Sequence, residues 1–198
     1  MPQVEISVNM VVKNEEEYIE KAILSTGGIA KEILIYDTGS TDLTPKIIEK
    51  LSQNLPIKLI KGNLSVDSAR NVLLELSRGN WILILDGDEV WEEAEKLPEL
   101  PVLNPDKIAF GFTFNHYLTS DKLAIRHKSK SIKLFKKTPG IHWINEFPNE
   151  ILEDDKGILS TTNCPRTDIQ TIWDLKFNHY GGIKKNQWRK EQPAKFHL

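Results

Sequence analysis

Cysteine is almost missing from this chain: Cys164 stands alone among 198 residues. That excludes an intrachain disulfide and a cysteine-ligated metal centre, and it suits a reducing compartment. Long apolar runs are missing too, with none near the roughly 20 residues needed to cross a bilayer. Nothing at the N-terminus reads as a signal peptide. The expectation is therefore a cytoplasmic protein, with peripheral association at the inner membrane face left open. Neither charge sign dominates: 26 Lys and Arg against 28 Asp and Glu leave a net charge of -2. That balance argues against nucleic acid as a partner. The chain has no G-x-x-x-x-G-K-S/T and no G-x-G-x-x-G, which excludes a P-loop and a dinucleotide fingerprint. There is no internal repeat and no low-complexity tract. What remains, 39% hydrophobic and 27% charged residues, is the composition of one large globular domain.

The most informative stretch runs from Trp81 to Glu89. Its aliphatic residues Ile82 to Leu85, preceded by Gly79, predict a short strand buried on both faces. Asp86, Gly87 and Asp88 follow at the carboxyl end, the edge where open α/β sheets bind ligands. Two carboxylates across a glycine suit a hard divalent cation, Mg²⁺ or Mn²⁺. Taken alone, D-x-D is equally a surface turn. Its place after three strand–helix units favours the ligand reading.

Those units are legible in order. Ile6 to Val12 predicts a first, central strand. Asn14 then reads as an N-cap, with Glu15, Glu16 and Glu17 in the first helical turn and Gly27-Gly28 as the stop. Glu32 to Asp37 is strand two, which brings Asp37 to the same edge, followed by a helix carrying Ile47, Ile48 and Leu51. Ile57 to Ile60 is strand three. The next helix has Ala69, Val72, Leu73 and Leu76 on one face, with Asp67 at its start as either a cap or a ligand. Strands alternating with helices predict a parallel sheet with right-handed crossovers. After Glu89 the pattern changes to a helical turn over Glu92 to Lys96 and a proline-broken loop through Pro98, Pro101 and Pro105. Strands follow at Ile108 to Tyr117, Ser131 to Phe135 and Thr171 to His179. Phe110, Phe112 and Phe114 alternate as core residues. The basic tail with Trp188 reads as a solvated helix, or as a small amphipathic contact with an anionic membrane. The fold class is α/β, with a parallel N-terminal half and a mixed C-terminal annex.

Three segments together, VVKNEEEYIEKAILS, EILIYDTGSTDLT and SARNVLLELSRGNWILILDGDE, resemble family 2 glycosyltransferases of the GT-A fold, a Rossmann-like nucleotide-diphospho-sugar transferase sheet. The similarity spans Ile6 to Glu89 and is weaker in IKLFKKTPGIHW and FNHYGG. It is greatest to bacterial and archaeal members acting on surface polysaccharide or lipid-linked sugars. The resemblance implies one GT-A domain over 1–198, with a nucleotide-sugar-binding half at 1–89 and an acceptor-side half at 90–198. It also implies inverting transfer from a nucleotide diphosphate sugar, leaning to UDP, onto a glycan or lipid-linked acceptor hydroxyl. Asn14, Glu15, Asp37, Asp67, Arg70 and Asp86 would line the nucleotide-sugar pocket. Asp86, Asp88 and His179 would hold the metal, with Asp88 the direct ligand. Arg70 could pair with phosphate.

Inverting transfer needs a carboxylate that takes the acceptor proton. Glu150 is the first candidate and Glu146 the second. The W-x-G-x-x-H-E pattern of the family departs here to Trp143-Ile144-Asn145-Glu146-Phe147-Pro148-Asn149-Glu150, with no histidine before Glu150. That departure keeps a second class alive, a catalytically silent nucleotide-sugar binding module. A sugar-phosphate nucleotidyltransferase is a third reading, but it would need a basic, glycine-rich loop where Asn14 to Glu17 stand.

Overall fold

The computed structural model describes residues 3–117, 125–144, 151–159 and 166–180. The first half alternates as its hydrophobic pattern predicts. β1 (Ile6–Val12), α1 (Ile19–Thr26), β2 (Ala30–Asp37), α2 (Thr44–Leu51), β3 (Ile57–Lys61), α3 (Val66–Leu76) and β4 (Trp81–Ile84) follow one another. β1 pairs in parallel with β2 on one side and β4 on the other, and β2 pairs in parallel with β3. β1 is thus central, and Ile6, Val8, Met10 and Val12 are all buried beside fully buried Ile33, Ile35 and Leu83. Strands covered on both faces are those that can be apolar at consecutive positions, which is why the periodicity of two is lost in β4.

The second half completes the sheet with mixed directions. β5 (Glu89–Trp91), a 3-10 turn at Ala94–Lys96 and α4 (Glu99–Leu103) lead to β6 (Ala109–Tyr117) and β7 (Ile125–Lys136). β8 (His142–Ile144), β9 (Ile151–Asp154) and β10 (Gly157–Ile158) form a separate antiparallel sheet, and β11 (Ile169–His179) returns to the main one. The eight-stranded order is β3-β2-β1-β4-β7-β6-β11-β5. β7 runs antiparallel to β4 and β6, while β11 is parallel to β6 and antiparallel to β5. Phe110 and Phe112 are fully buried, as their alternation predicts, and the Phe114 side chain lies outside the described residues.

Several expectations are corrected. Asn14 does not cap α1: the helix begins at Ile19 after Tyr18, and only Glu20 lies in its first turn. Asn14 instead adopts φ 57°, in the left-handed region that asparagine tolerates. Its side chain is spent on the next loop, accepting from the Thr41 backbone N–H at 2.8 Å. Ser65, not Asp67, stands at the N-cap of α3. The proline-rich stretch is not all loop, because α4 tolerates Pro98 and Pro101 in a region whose N–H groups lack intrahelical partners anyway. β5 and the small sheet have no clear sequence signal, since β5 and β8 are three residues each and β10 is two. Cys164 and the basic tail with Trp188 lie outside the described residues.

The amino edge of the sheet carries a buried polar cluster. The Glu32 carboxylate accepts from the Ser7 hydroxyl at 2.7 Å, the Arg78 backbone N–H at 2.6 Å and Arg78 Nε at 2.8 Å. The Gly79 N–H in turn donates to Ser7 Oγ at 2.8 Å. A Cβ on Gly79 would lie 2.6 Å from both Glu5 O and Ser7 N, which are backbone atoms that cannot swing aside. Burial alone would raise the Glu32 carboxyl, but the Arg78 and Ser7 donors outweigh it and hold it below the usual range.

Two outcomes follow. Gly79→Ala should destabilise the protein by about 2 kcal/mol, the scale of a forced clash in a packed interior, read from urea unfolding. Because the folded Glu32 pKa is depressed, its stabilisation is complete above the ordinary value near about 4.3 and is lost as pH falls through the lower folded value. Glu32→Gln should therefore be less stable at neutral pH and show a shallower loss of stability in acid, measured by unfolding at several pH values.

Candidate active site

Every nucleotide- and metal-site residue named from the sequence lies at or near the carboxyl edge of the parallel strands or on the segment that returns to it. Beyond β1, Glu15 donates its backbone N–H to Thr44 Oγ1 at 2.7 Å, and Glu16 donates its own to Asp42 Oδ2 at 3.2 Å. Glu16 Oε2 accepts from the Leu43 N–H at 2.9 Å. These reciprocal bonds lock the loops after β1 and β2 together. Asp37 is 2% exposed, and its Oδ1 accepts from the Gly39 and Ser40 N–H groups at 3.1 and 2.8 Å. That is the turn-forming behaviour expected of aspartate. Asp37 and Asn14 thus shape the edge, with at least one oxygen each committed to loop geometry.

The Asp86-Gly87-Asp88 turn packs against this locked edge. A Cβ on Gly87 would meet Glu15 Cγ at 2.6 Å and Glu15 Cβ at 3.0 Å. Glycine is needed there because Glu15 lies directly over the turn. Beneath it runs a charge network that sequence reading missed. Lys133 of β7, with a side chain 5% exposed, donates to Glu89 Oε1 and Oε2 at 2.8 and 2.7 Å and reaches Asp86 Oδ2 at 3.3 Å. Glu89 Oε2 also accepts the Asp86 N–H at 3.1 Å. Arg70 approaches Asp86 Oδ1 at 3.5 Å from α3. Burial would raise the Asp86 carboxyl, but the Lys133 and Arg70 cations hold it low. Burial, with the nearby Asp86 carboxylate, pushes Glu89 up to about 7, against the downward pull of Lys133 and the Asp86 N–H. Burial alone would lower Lys133, yet Asp86 and Glu89 raise it, so its charge is kept. The sequence signal for Lys133 is faint: β7 also carries Arg126, Lys128, Lys130 and Lys136, and Lys133 differs from them only in standing between Ile132 and Leu134-Phe135.

His179 enters from the far end of the chain. β11 ends there, paired with Glu89 of β5, and the next N–H, that of Tyr180, donates to Asp88 O at 2.9 Å. His179 Nε2 lies 3.6 Å from Asp88 Oδ2. Tyr180 stacks on Tyr18 with ring centroids 4.9 Å apart and planes 10° from parallel, fastening this segment to the turn after β1. Asp67 sits in the first turn of α3, where the Ser65 hydroxyl and helix N–H groups hold its carboxyl low. Glu146 and Glu150 lie outside the described residues, directly after β8.

An aspartate oxygen facing an imidazole nitrogen offers a hard oxygen ligand that suits Mg²⁺ or Mn²⁺ and a nitrogen ligand that suits Mn²⁺ better than Mg²⁺. Asp86 turns its oxygens toward two side-chain cations instead, and no group of three or more His, Cys, Asp or Glu poised for a metal occurs among the described residues. Asp88 and His179 are therefore the residues that would hold such an ion.

The model of glycosyl transferase family 2 matches residues 7–165. The chain belongs to that family. A TPR repeat-containing protein of Synechococcus elongatus is 28% identical over 185 residues, which make up 89% of this chain and 42% of that one. The Escherichia coli UDP-Glc:alpha-D-GlcNAc-diphosphoundecaprenol beta-1,3-glucosyltransferase WfaP is 33% identical over 92 residues, 46% of this chain and 36% of its own. Among solved structures, S. aureus TarS in complex with UDP-GlcNAc has a TM-score of 0.48 at 23% identity, covering 61% of this chain and 36% of TarS. This chain spans less than half the length of these proteins.

The buried network gives a stability outcome. Lys133→Met leaves Glu89 buried without its cation and should cost about 3–5 kcal/mol. Adding Glu89→Leu to that variant should recover most of the loss, as read from denaturant unfolding of both proteins.

Proposed function

We propose that this chain transfers a sugar, with inversion, from a nucleotide diphosphate sugar to the hydroxyl of a glycan or lipid-linked acceptor. UDP is the proposed nucleotide, and a divalent cation, Mg²⁺ or Mn²⁺, is proposed at the donor diphosphate. The observation that carries this reading is Asp88 facing His179 across 3.6 Å, on a turn pressed against the locked loops beyond β1 and β2. Family membership supplies the transferase class. WfaP, whose name gives a UDP-glucose donor and a lipid-linked acceptor, supports the donor and acceptor choices.

Each residue has a part in this scheme. The loops after β1 and β2, shaped by Asn14 and Asp37, form the rim for base and ribose, with Glu15 and Asp67 beside them. Arg70 offers a planar guanidinium to a phosphate, which would replace its long contact with Asp86 by a shorter charge-assisted bond. Asp86, kept ionised by Lys133, gives the floor a fixed negative charge. Asp88 and His179 hold the cation, whose chemistry would be to neutralise the charge that develops on the leaving diphosphate. Glu150, or Glu146, takes the acceptor proton as its oxygen attacks the anomeric carbon. A cytoplasmic location with contact at the inner membrane face would suit a lipid-linked acceptor.

Calorimetric titration of UDP, with and without Mn²⁺, tests the proposal on wild type and Asp88→Ala. Binding strengthened by Mn²⁺ in wild type, with that strengthening lost in Asp88→Ala, is the expected result. Absence of binding by UDP, GDP and dTDP under both conditions would overturn it.

A further inference from the structure

Arg70 and Asn71 are neighbours on α3, and both grip Trp143 of β8. The Asn71 amide pairs with the Trp143 main chain in both directions. Asn71 Nδ2 donates to Trp143 O at 2.9 Å, and the Trp143 N–H donates to Asn71 Oδ1 at 2.8 Å. A side-chain amide here does the work of a neighbouring strand, joining the small sheet to a helix of the main domain. The Arg70 guanidinium lies 4.6 Å from the Trp143 ring centroid, within range of a cation–π contact. The indole is itself fixed: Trp143 is 6% exposed, and its ring meets Phe135 at 6.3 Å with planes 72° apart.

An arginine side chain has several torsions and loses considerable freedom when it is held in one geometry. A flat aromatic face removes much of that freedom before any ligand arrives, and it suits guanidinium better than ammonium. Arg70 on this platform points toward Asp86, the floor of the site, at a distance (3.5 Å) too long for a strong ion pair. The guanidinium is thus held on the indole face beside the Asp86 turn.

We propose that Trp143 is a positioning residue that aims Arg70 at the donor diphosphate, and that Asn71 fixes the height of Trp143 relative to α3. The proposal rests on the donor-site reading above and deepens it. It also gives the small sheet a task. Through Asn71 and Arg70, one turn of α3 holds both β8 and the phosphate-facing cation.

A double-mutant cycle on UDP binding in the presence of Mn²⁺ tests this, using wild type, Trp143→Leu, Arg70→Met and the double variant. Trp143→Leu should weaken UDP about fivefold, the scale of a partly desolvated cation–π contact. In the Arg70→Met background the same change should have no further effect, which a merely structural role for Trp143 would not produce. Equal weakening with and without Arg70, or no weakening in either, overturns the proposal. If Trp143→Leu does not fold, Trp143→Phe takes its place in the same cycle, with roughly a twofold effect expected from its smaller ring face. Failure of wild type to bind UDP, GDP or dTDP would be read from that protein alone; it would remove the donor-site reading and this inference with it.

Discussion

The ion pair between Lys133 and Glu89 is the contact on which the site depends. Both side chains are almost fully withdrawn from solvent, and the two carboxylate oxygens share one ammonium. Buried pairs of this kind contribute little net stability compared with apolar packing, but losing one partner is costly. Here the pair bridges the turn after β4 to β7, the strand antiparallel to it. It therefore joins the N-terminal parallel half of the chain to the half that follows. Through the Asp86 N–H it also sets the path of the turn itself.

From that pair the division of labour among three acids in one motif becomes clear. Glu89 is structural, Asp86 is shared between the structural cation and Arg70, and Asp88 faces His179. Their sequence neighbourhoods are nearly the same, yet burial and partners separate them. Two of the cations that enforce this separation come from distant elements, Arg70 on α3 and Lys133 on β7. A motif read along the chain can name the acids, but only the sheet order assigns their partners.

That contrast explains how much was legible beforehand. β1, β2 and β4 announce themselves because strands covered on both faces carry apolar residues at consecutive positions, and the helices between them carry one-sided apolar faces. Asp37, Asp86 and Asp88 could be placed because strand polarity alone fixes which edge they reach. His179 was found only through a resemblance in its short motif. Lys133 went unassigned, since a lysine in a strand ordinarily marks the solvent face. β8 to β10 were missed because strands of two to four residues carry too little pattern, and β8 is held by an asparagine side chain rather than by a periodic face. Asn14 was misread as a cap for a related reason. Asparagine suits both a cap and a left-handed turn, and the choice is made by Thr41, 27 residues away in the chain.

Gly79 and Gly87 stand at opposite ends of β4, and each is pressed against something that belongs to the start or the end of β1. One meets the backbone of Glu5 and Ser7; the other meets the stem of Glu15 and the Val12 side chain. The four-residue strand between them is thus gauged at both ends, like a rule between two stops. Sliding β4 by one residue would bring a side chain into each stop and reverse every face of the strand. The elevation of the acidic turn above the sheet is therefore set by two residues that contribute no side chain at all.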